Sequence, residues 1–514
     1  MLWYSFNIRD GIFMKHAGLS FSLLLMLGAC GGGGGASVSD PVQKTSSELA
    51  QICSQDNILS GDATATTRKG TLADERNWVH AYLNERYFWY KDMPVVNAND
   101  ARYNVVGGSA WTNFAQSLSN YFSDQLNPKY TASGVKVDQF SFLTQTSAWN
   151  QFSQGEELGY GWLLSEQGSG ATRRVWVSYV YPGTRLGSAV QAGLQRGDEI
   201  ISVDDYAVNA AVHSTWVDAG LSPSKAETHQ FVVKRNGQTI PQTVSLTSST
   251  AVLPQAEHKV VLDAQGVKWG YLLFNSHVES AQAPLRAALG DFKAQQIDQL
   301  VIDVRYNSGG YLALASALAY GVAGPAKTQG KTFERVRHND KRTSEDESLP
   351  FYSTDFEGGA IEALNLAKVY VLTTDQTCSA SESIINGLRG VDVEVVQIGG
   401  TTCGKPYGFV AQDNCGITYA AMEFEGVNHK GQGGYADGLV PECAVSDDLT
   451  RALGTLGEPM FAAAVARHRG LACPSLSASR ALGSVGLQGW GSRNMQLIRP
   501  DWQRNKMLRP ASKG

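Results

Sequence analysis

Ser379 and Lys405 stand 26 residues apart, each in a setting that can be given chemistry. The serine lies in Thr374-Asp-Gln-Thr-Cys-Ser-Ala-Ser-Glu382, after an apolar run at 369–373 and before helix-forming residues that continue to Arg389. A hydroxyl at the start of a helix sits beside free N–H groups and the positive end of the dipole, which together can hold an oxyanion. Lys405 follows Gly399-Gly-Thr-Thr-Cys-Gly404. Its amine can act as a base only when desolvation lowers a pKa that is ordinarily about 10.4. A third segment, Leu300-Val-Ile-Asp-Val-Arg305, runs into Tyr306-Asn-Ser-Gly309-Gly310. Glycines there let the backbone approach a substrate and aim N–H groups at developing charge. The residues alone leave a plainer reading open, in which Ser379, Ser381 and Ser383 are helix caps and Lys405 is a solvated loop cation.

Other nucleophiles and metals have less support. Cys378 adjoins Ser379 and raises a cysteine-protease alternative, but none of His258, His277, His338, His429 and His468 sits in a motif that would activate it, and they read as packing or surface residues. There is no CxxC pair and no HExxH, so neither a metal nor another cofactor is expected.

These segments need a frame. Strand patterns at 300–305, 369–373 and 393–398 alternate with helical stretches, which is the sequence form of a parallel sheet. Ahead of them, residues 50–150 read as mostly helical. Trp78, Val79, Tyr82, Leu83 and Tyr87 mark one helix across 72–90, and Trp111, Phe114, Leu118, Tyr121 and Phe122 mark a second. The aromatic run Tyr87-Phe-Trp-Tyr90 reads as packed core. Residues 155–250 break into short β-rich runs separated by glycine turns, a small β domain. Residues 473–514 show no clear periodicity and read as a poorly packed tail.

Two resemblances extend this. Gly183 to Asp204 looks like the helix, turn and strand of PDZ domains in bacterial proteases, which hold a peptide as an added strand and its carboxylate in a glycine-containing loop. Leu158-Gly159-Tyr160-Gly161-Trp162 fits that loop. The ordered set of a helical region, a PDZ domain, the turn at 303–310, Ser-Ala-Ser-Glu at 379–382 and Gly404-Lys405 resembles the C-terminal processing peptidases, serine proteases of family S41. That resemblance implies an α+β multidomain chain: a helical domain (50–150), a PDZ domain (155–250) and a crotonase/ClpP-like αβ protease core (256–472). It implies Ser379 as nucleophile, Lys405 as base, and an oxyanion hole from the N–H groups of Ala380 and Gly309, chosen over Gly310. Substrates would be exported or unfolded proteins presented by free C-termini. Many members place Gln or Glu four residues after the lysine, whereas this sequence has Phe409. The base is then held by packing as a dyad, or by a substitute such as Gln412. Asp303, Arg305 and Asn307 read as supports of the turn, and the segment 428–441 resembles a loop of a lipoprotein-rich branch, without an assigned role.

The address points to export. Residues 17–29 form a short apolar core after Lys15 and His16, the form of a signal peptide, with Met14 the better start. Leu27-Gly-Ala-Cys30 resembles a lipobox, implying a lipid on Cys30, a flexible tether at 30–49 and a place in the bacterial envelope facing the periplasm, on the outer membrane. Six further cysteines fit an oxidising compartment. Cys403 and Cys415 are close enough in sequence to staple a hairpin, and Cys443 with Cys473 could tie down the C-terminal helix. The 43 basic and 48 acidic residues give a net charge of −5, without the basic footprint of a nucleic-acid binder. Two rivals to a protease remain: an inactive PDZ lipoprotein serving as an envelope scaffold, and a crotonase-like acyl-transfer enzyme.

Overall fold

A computed structural model describes residues 44–105, 114–183, 188–235, 238, 241–473, 495–499 and 503. The leader, Cys30, its glycine tether and Trp111 lie outside them. Among the described residues no helix is long and apolar enough to cross a membrane.

Helix α1 (Leu72–Arg86) begins at a reciprocal cap, Thr71 Oγ1 accepting from Asp74 N while the Asp74 carboxylate accepts from Thr71 N. It stops at Arg86, short of the expected Tyr90, because Tyr87 turns extended and Phe88 N donates to Met422 O at 2.7 Å. Its buried face (Trp78, Val79, Tyr82, Leu83) meets Leu118, Tyr121 and Phe122 of α2 (Phe114–Ser123) in a core shared with Ile417, Tyr419 and Met422. Strand β1 (Phe142–Gln145) pairs antiparallel with Ile417–Ala420, and a disulfide joins Cys53 to Cys415. The N-terminal region therefore shares its core with a segment more than 300 residues away in sequence. Helix α3 (Thr146–Gln154) leads out of it to Gly155, left-handed at φ 79°.

A β module follows. Strands β2 (Trp162–Gln167), β3 (Arg174–Val180), β4 (Glu199–Val203), β5 (Thr228–Lys234) and β6 (Gln242–Thr247) lie in the order β6-β5-β4-β3-β2, with α4 (Ser214–Leu221) beside them. Val175, Val177, Ile200, Phe231 and Leu246 fill its interior with Tyr160 and Trp162.

The layer that carries the site is a six-stranded sheet: β7 (Ala256–Leu262), β8 (Lys268–Phe274), β9 (Gln299–Asp303), β10 (Lys368–Thr373), β11 (Glu394–Gly399) and β12 (Cys443–Ala444). Only the β7–β8 pair is antiparallel. Helices α5 (Gln282–Gln295), α6 (Leu312–Ala323) and α7 (Ala380–Gly390) cover one face, packing on Leu272, Ile302 and Val371. Helix α8 (Pro459–His468) covers the other, with Phe461 against Tyr271, Val301 and Tyr370. Both faces being dry, the central strands are apolar without alternation, the pattern that made them readable. The three strand–turn units expected at 300, 369 and 393 are β9, β10 and β11, and their carboxyl ends deliver the glycine turn, Ser379 and Lys405.

Beneath that edge lies a fully buried charge network. Arg305 donates to Asp303, to Asp447 Oδ1 at 2.6 Å and to Glu458 Oε1 at 2.9 Å. Arg196 of the β module joins it through Asp447 and donates to the Tyr306 hydroxyl at 2.5 Å, so the module touches the residue that opens the glycine turn. Removing one member of a buried cluster leaves the others uncompensated. Arg305→Ala is expected to cost on the order of 3–5 kcal/mol, read from the shift of the urea unfolding midpoint, and to do so more than Arg305→Met.

Candidate active site

The backbone at Ser379 is held at φ 56°, ψ −119°, an orientation few non-glycine residues adopt. It turns the chain sharply from β10 into α7, so that Ser379 faces a cleft while Ala380 begins the helix, where N–H groups have no intrahelical acceptor. The surroundings that hold this turn converge on Glu382. Its fully buried carboxylate accepts from Ser379 N at 2.9 Å, Gly404 N at 2.9 Å, Lys405 N at 2.8 Å and the Thr402 hydroxyl. Burial pushes this carboxyl up while those four hydrogen bonds pull it down.

Lys405 is 3% exposed and lines the same cleft as Ser379. Its ammonium lies 5.5 Å from the Phe140 ring centroid and 5.1 Å from that of Phe409. Burial brings its pKa down to about 8, opposed by the nearby Asp138 and Glu382 carboxylates. Phe409, in the place of the expected polar partner, is thus part of the apolar wall that desolvates the amine. Gln412 pairs with Tyr419 and does not line the cleft.

The glycine turn is clipped to the serine turn by Asn307. Its carbonyl accepts from Cys378 N at 3.1 Å and Ser381 Oγ at 3.1 Å, and its side-chain Nδ2 donates to Phe274 O at 2.8 Å. Asn307 Oδ1 also lies 3.0 Å from Nδ1 of buried His277, whose pKa burial pushes down to about 4, so the ring is neutral. Gly309, at φ 102°, packs so closely that a Cβ would lie 2.8 Å from Ser379 Cβ. Its N–H, expected to face an oxyanion, donates instead to Asn307 Oδ1 at 2.9 Å. The expectation for Gly309 is therefore corrected: the side chain two residues back has already used that donor.

The cysteines also depart from expectation. Cys378 is bonded to Cys403, and Cys415 pairs with Cys53 instead of Cys403. A disulfide sulfur is no nucleophile, which removes the cysteine-protease alternative, and Cys378 and Cys403 cannot ligate a metal with Glu382 in this state. Cys443–Cys473 forms as read, bracketing α8. Of the residues expected to bind a peptide, Gly159 pairs with Ser249, Tyr160 is a core residue whose hydroxyl donates to Gly220 O at 3.0 Å, and Gly161 O accepts from Tyr181 N.

Sequence reasoning assigned no role to Glu382, Glu334 or Asp138. The first had a signal, the Ser-x-x-Glu spacing of a capping box. Glu334 reaches the cleft beside Ser383 from a neighbouring sheet, and burial raises its pKa to about 7. Phe142, Trp149, Phe152 and Phe424 complete an apolar wall.

A core of helices on both faces of a mostly parallel sheet is a layered αβ frame, and here it gathers a serine turn, a buried lysine and a glycine turn at one sheet edge. Residues 268–414, which hold the glycine turn, Ser379 and Lys405, match the model of Peptidase family S41. A putative S41 protease from Bacteroides fragilis NCTC 9343 shares the fold at a TM-score of 0.60 and 24% identity, over 76% of this chain and 97% of that one. The photosystem II D1 C-terminal processing protease aligns over 80% of this chain and 98% of its own, at 18% identity and a TM-score of 0.42. No curated protein matches the chain.

The Cys378–Cys403 bond closes a 25-residue separation between the two turns. Its replacement by two alanines is expected to cost about 3 kcal/mol of stability by loop-closure entropy and to lower turnover more than substrate binding, checked by denaturant unfolding and a kcat-against-KM comparison.

Proposed function

We propose that this protein is a serine endopeptidase working through a Ser379/Lys405 dyad on exported or unfolded polypeptides. The observation that carries the reading is the shared cleft: a serine on a strained turn at a helix start faces the same space as a lysine whose pKa lies near 8. Neutral Lys405 takes the Ser379 proton as Oγ attacks the peptide carbonyl carbon, and the ammonium then protonates the departing amine. Water, deprotonated by the same amine, releases the acyl group. Ala380 N–H and Gly310 N–H hold the oxyanion, Gly310 replacing Gly309 because the latter's donor is engaged by Asn307. The aromatic wall favours an apolar side chain next to the scissile bond. The β module acts as a PDZ-type capture domain for polypeptide ends, and a lipid on Cys30 holds the enzyme in the bacterial envelope, facing the periplasm.

The test is cleavage of an unfolded protein by the chain beginning after Cys30, followed by mass spectrometry. Ser379→Ala and Lys405→Ala are each expected to lower kcat by roughly a thousandfold or more while keeping the fold. Cleavage by wild type with neither variant impaired sinks the dyad, and an inactive wild type that still binds polypeptide favours the scaffold reading.

The pH dependence follows from the base. Lys405 works in its neutral form, so kcat/KM rises with pH and reaches half its plateau near about 8. Lys405→Arg, which stays charged, should abolish the rise. A profile flat from pH 6 to 10 would assign the base to another group.

A further inference from the structure

Within the stretch that the sequence left as an unpacked tail, residues 495–499 and Gln503 are docked at two places, the edge of the β module and the cleft of Ser379 and Lys405. Strand β13 (Gln496–Leu497) adds to the free edge of β2, antiparallel, with Gln496 opposite Glu166 and Leu497 opposite Ser165. Ile498 N continues the ladder, donating to Leu164 O at 2.9 Å. The two side chains go opposite ways, as strand geometry requires. Leu497, 2% exposed, joins the cluster of Tyr179, Tyr181 and Trp269, while Ile498 packs on the module's interior beside Trp162 and Leu164. Arg499 then donates to Tyr306 O at 3.1 Å and lies 3.4 Å from Ser308 Oγ, so the chain reaches the glycine turn. Four residues on, Gln503 lines the cleft that holds Ser379 and Lys405.

We propose that residues 495–499, with Gln503, are a resident occupant of the polypeptide-docking edge and of the catalytic cleft, a competitor in cis that an incoming polypeptide must displace. The inference rests on the reading of the β module as a capture domain, and it names which surface captures. An added strand satisfies the backbone donors and acceptors of an otherwise open edge, and apolar side chains alternate into pockets on either side. β2 is an edge of its sheet and β13 is what covers it. A tethered segment meets its site at an effective concentration in the millimolar range, so a weak intrinsic affinity is enough to hold it there. The site is nonetheless exchangeable, because the strand is only two residues long and its partner contacts are those any extended backbone can make. Its polarity also matters. The segment on β2 precedes Gln503 at the cleft, whereas a polypeptide whose carboxyl end lies on β2 presents upstream residues to Ser379. The tail therefore blocks both places without mimicking such a substrate.

The experiment measures binding on the full chain after Cys30 carrying Ser379→Ala, so that its outcome does not depend on proteolysis. The probe is a fluorescein-labelled synthetic peptide of residues 495–514, followed by anisotropy. Adding Leu497→Asp to the protein is expected to tighten probe binding by roughly tenfold or more, since the competitor has been detached. A probe that itself carries Leu497→Asp should not bind. Because Leu497 is buried and its replacement can disturb folding, Ile498→Pro, which removes the N–H bond to Leu164 O, carries the same expectation. Hydrogen exchange on the unaltered chain should show residues 495–499 protected, with protection lost when unlabelled peptide is added in excess. Equal probe affinity in all three proteins, or unprotected amides at 495–499, overturns the proposal. Tightened binding alongside an inactive wild type would retain it while rejecting the protease reading.

Discussion

One carboxylate holds the candidate site together. Glu382 receives the backbone N–H of Ser379 and those of Gly404 and Lys405, together with the Thr402 hydroxyl, in a place without solvent. Serine turn and lysine loop come from different strands of the sheet, and a sheet by itself fixes their distance only to within the latitude of two loops. A buried carboxyl group with four converging donors removes that latitude, because each donor is stranded if the loop moves. The disulfide Cys378–Cys403 spans the same gap covalently, one residue before Ser379 and two before Lys405. Asn307 does for the glycine turn what Glu382 does for the lysine loop. The arrangement is preorganised: its polar groups are already oriented, so little reorganisation remains for the reaction.

The electrostatics of Lys405 follow from the same packing. A lysine beside two carboxylates would ordinarily stay charged, and both Asp138 and Glu382 push in that direction. Burial among Phe140 and Phe409 outweighs them. The outcome depends on how the carboxylates are engaged. Asp138 accepts from the Tyr87 hydroxyl at 2.6 Å and from Phe140 N and Ser141 N at 3.0 Å, while Glu382 is saturated by backbone donors. Their charge is spent locally, and less of it reaches the amine. Phe409 contributes apolar volume where a polar side chain would supply a hydrogen bond. It orients the lysine by exclusion, a weaker directional constraint but a stronger desolvating one.

What could be read from the sequence was what short-range pattern determines. The strands β9, β10 and β11 are apolar runs of five or six residues that lead into turns of glycine or small residues, and each was placed to within two residues. Ser379, Lys405 and the glycine turn were legible because each follows such a strand. Cys443 with Cys473 was legible, but the other disulfide partners were not: Cys53 and Cys415 are 362 residues apart, and proximity in sequence favoured Cys403 with Cys415, a pairing the fold does not make. The N-terminal region read as a helical domain because its periodicity is local, while the strand at 417–420 that completes its core is distant. Gly309 failed for a finer reason. Whether a backbone N–H is free depends on the Asn307 side chain two residues away, and spacing does not report a rotamer. The tail escaped because a two-residue strand has no periodicity to detect.

The β module is coupled to the site by direct contact. Arg196 donates to the Tyr306 hydroxyl and to Asp447, and Asp447 also holds Arg305 directly below the glycine turn. A Cβ on Gly197 would lie 2.4 Å from Leu449 O, so the module backbone is pressed against the segment that carries Asp447. Rotating the module would separate Arg196 from two buried partners, one of them charged, and that cost opposes independent motion of the two bodies. Arg499 reaches Tyr306 O and the neighbourhood of Ser308 from the tail strand, on the far side of the same residue. Tyr306 therefore receives one cation at its hydroxyl from the module and one at its carbonyl from the tail. Displacing the strand on β2 would withdraw the second cation from the turn that adjoins Ser379, so the module edge and the glycine turn are linked through a single residue.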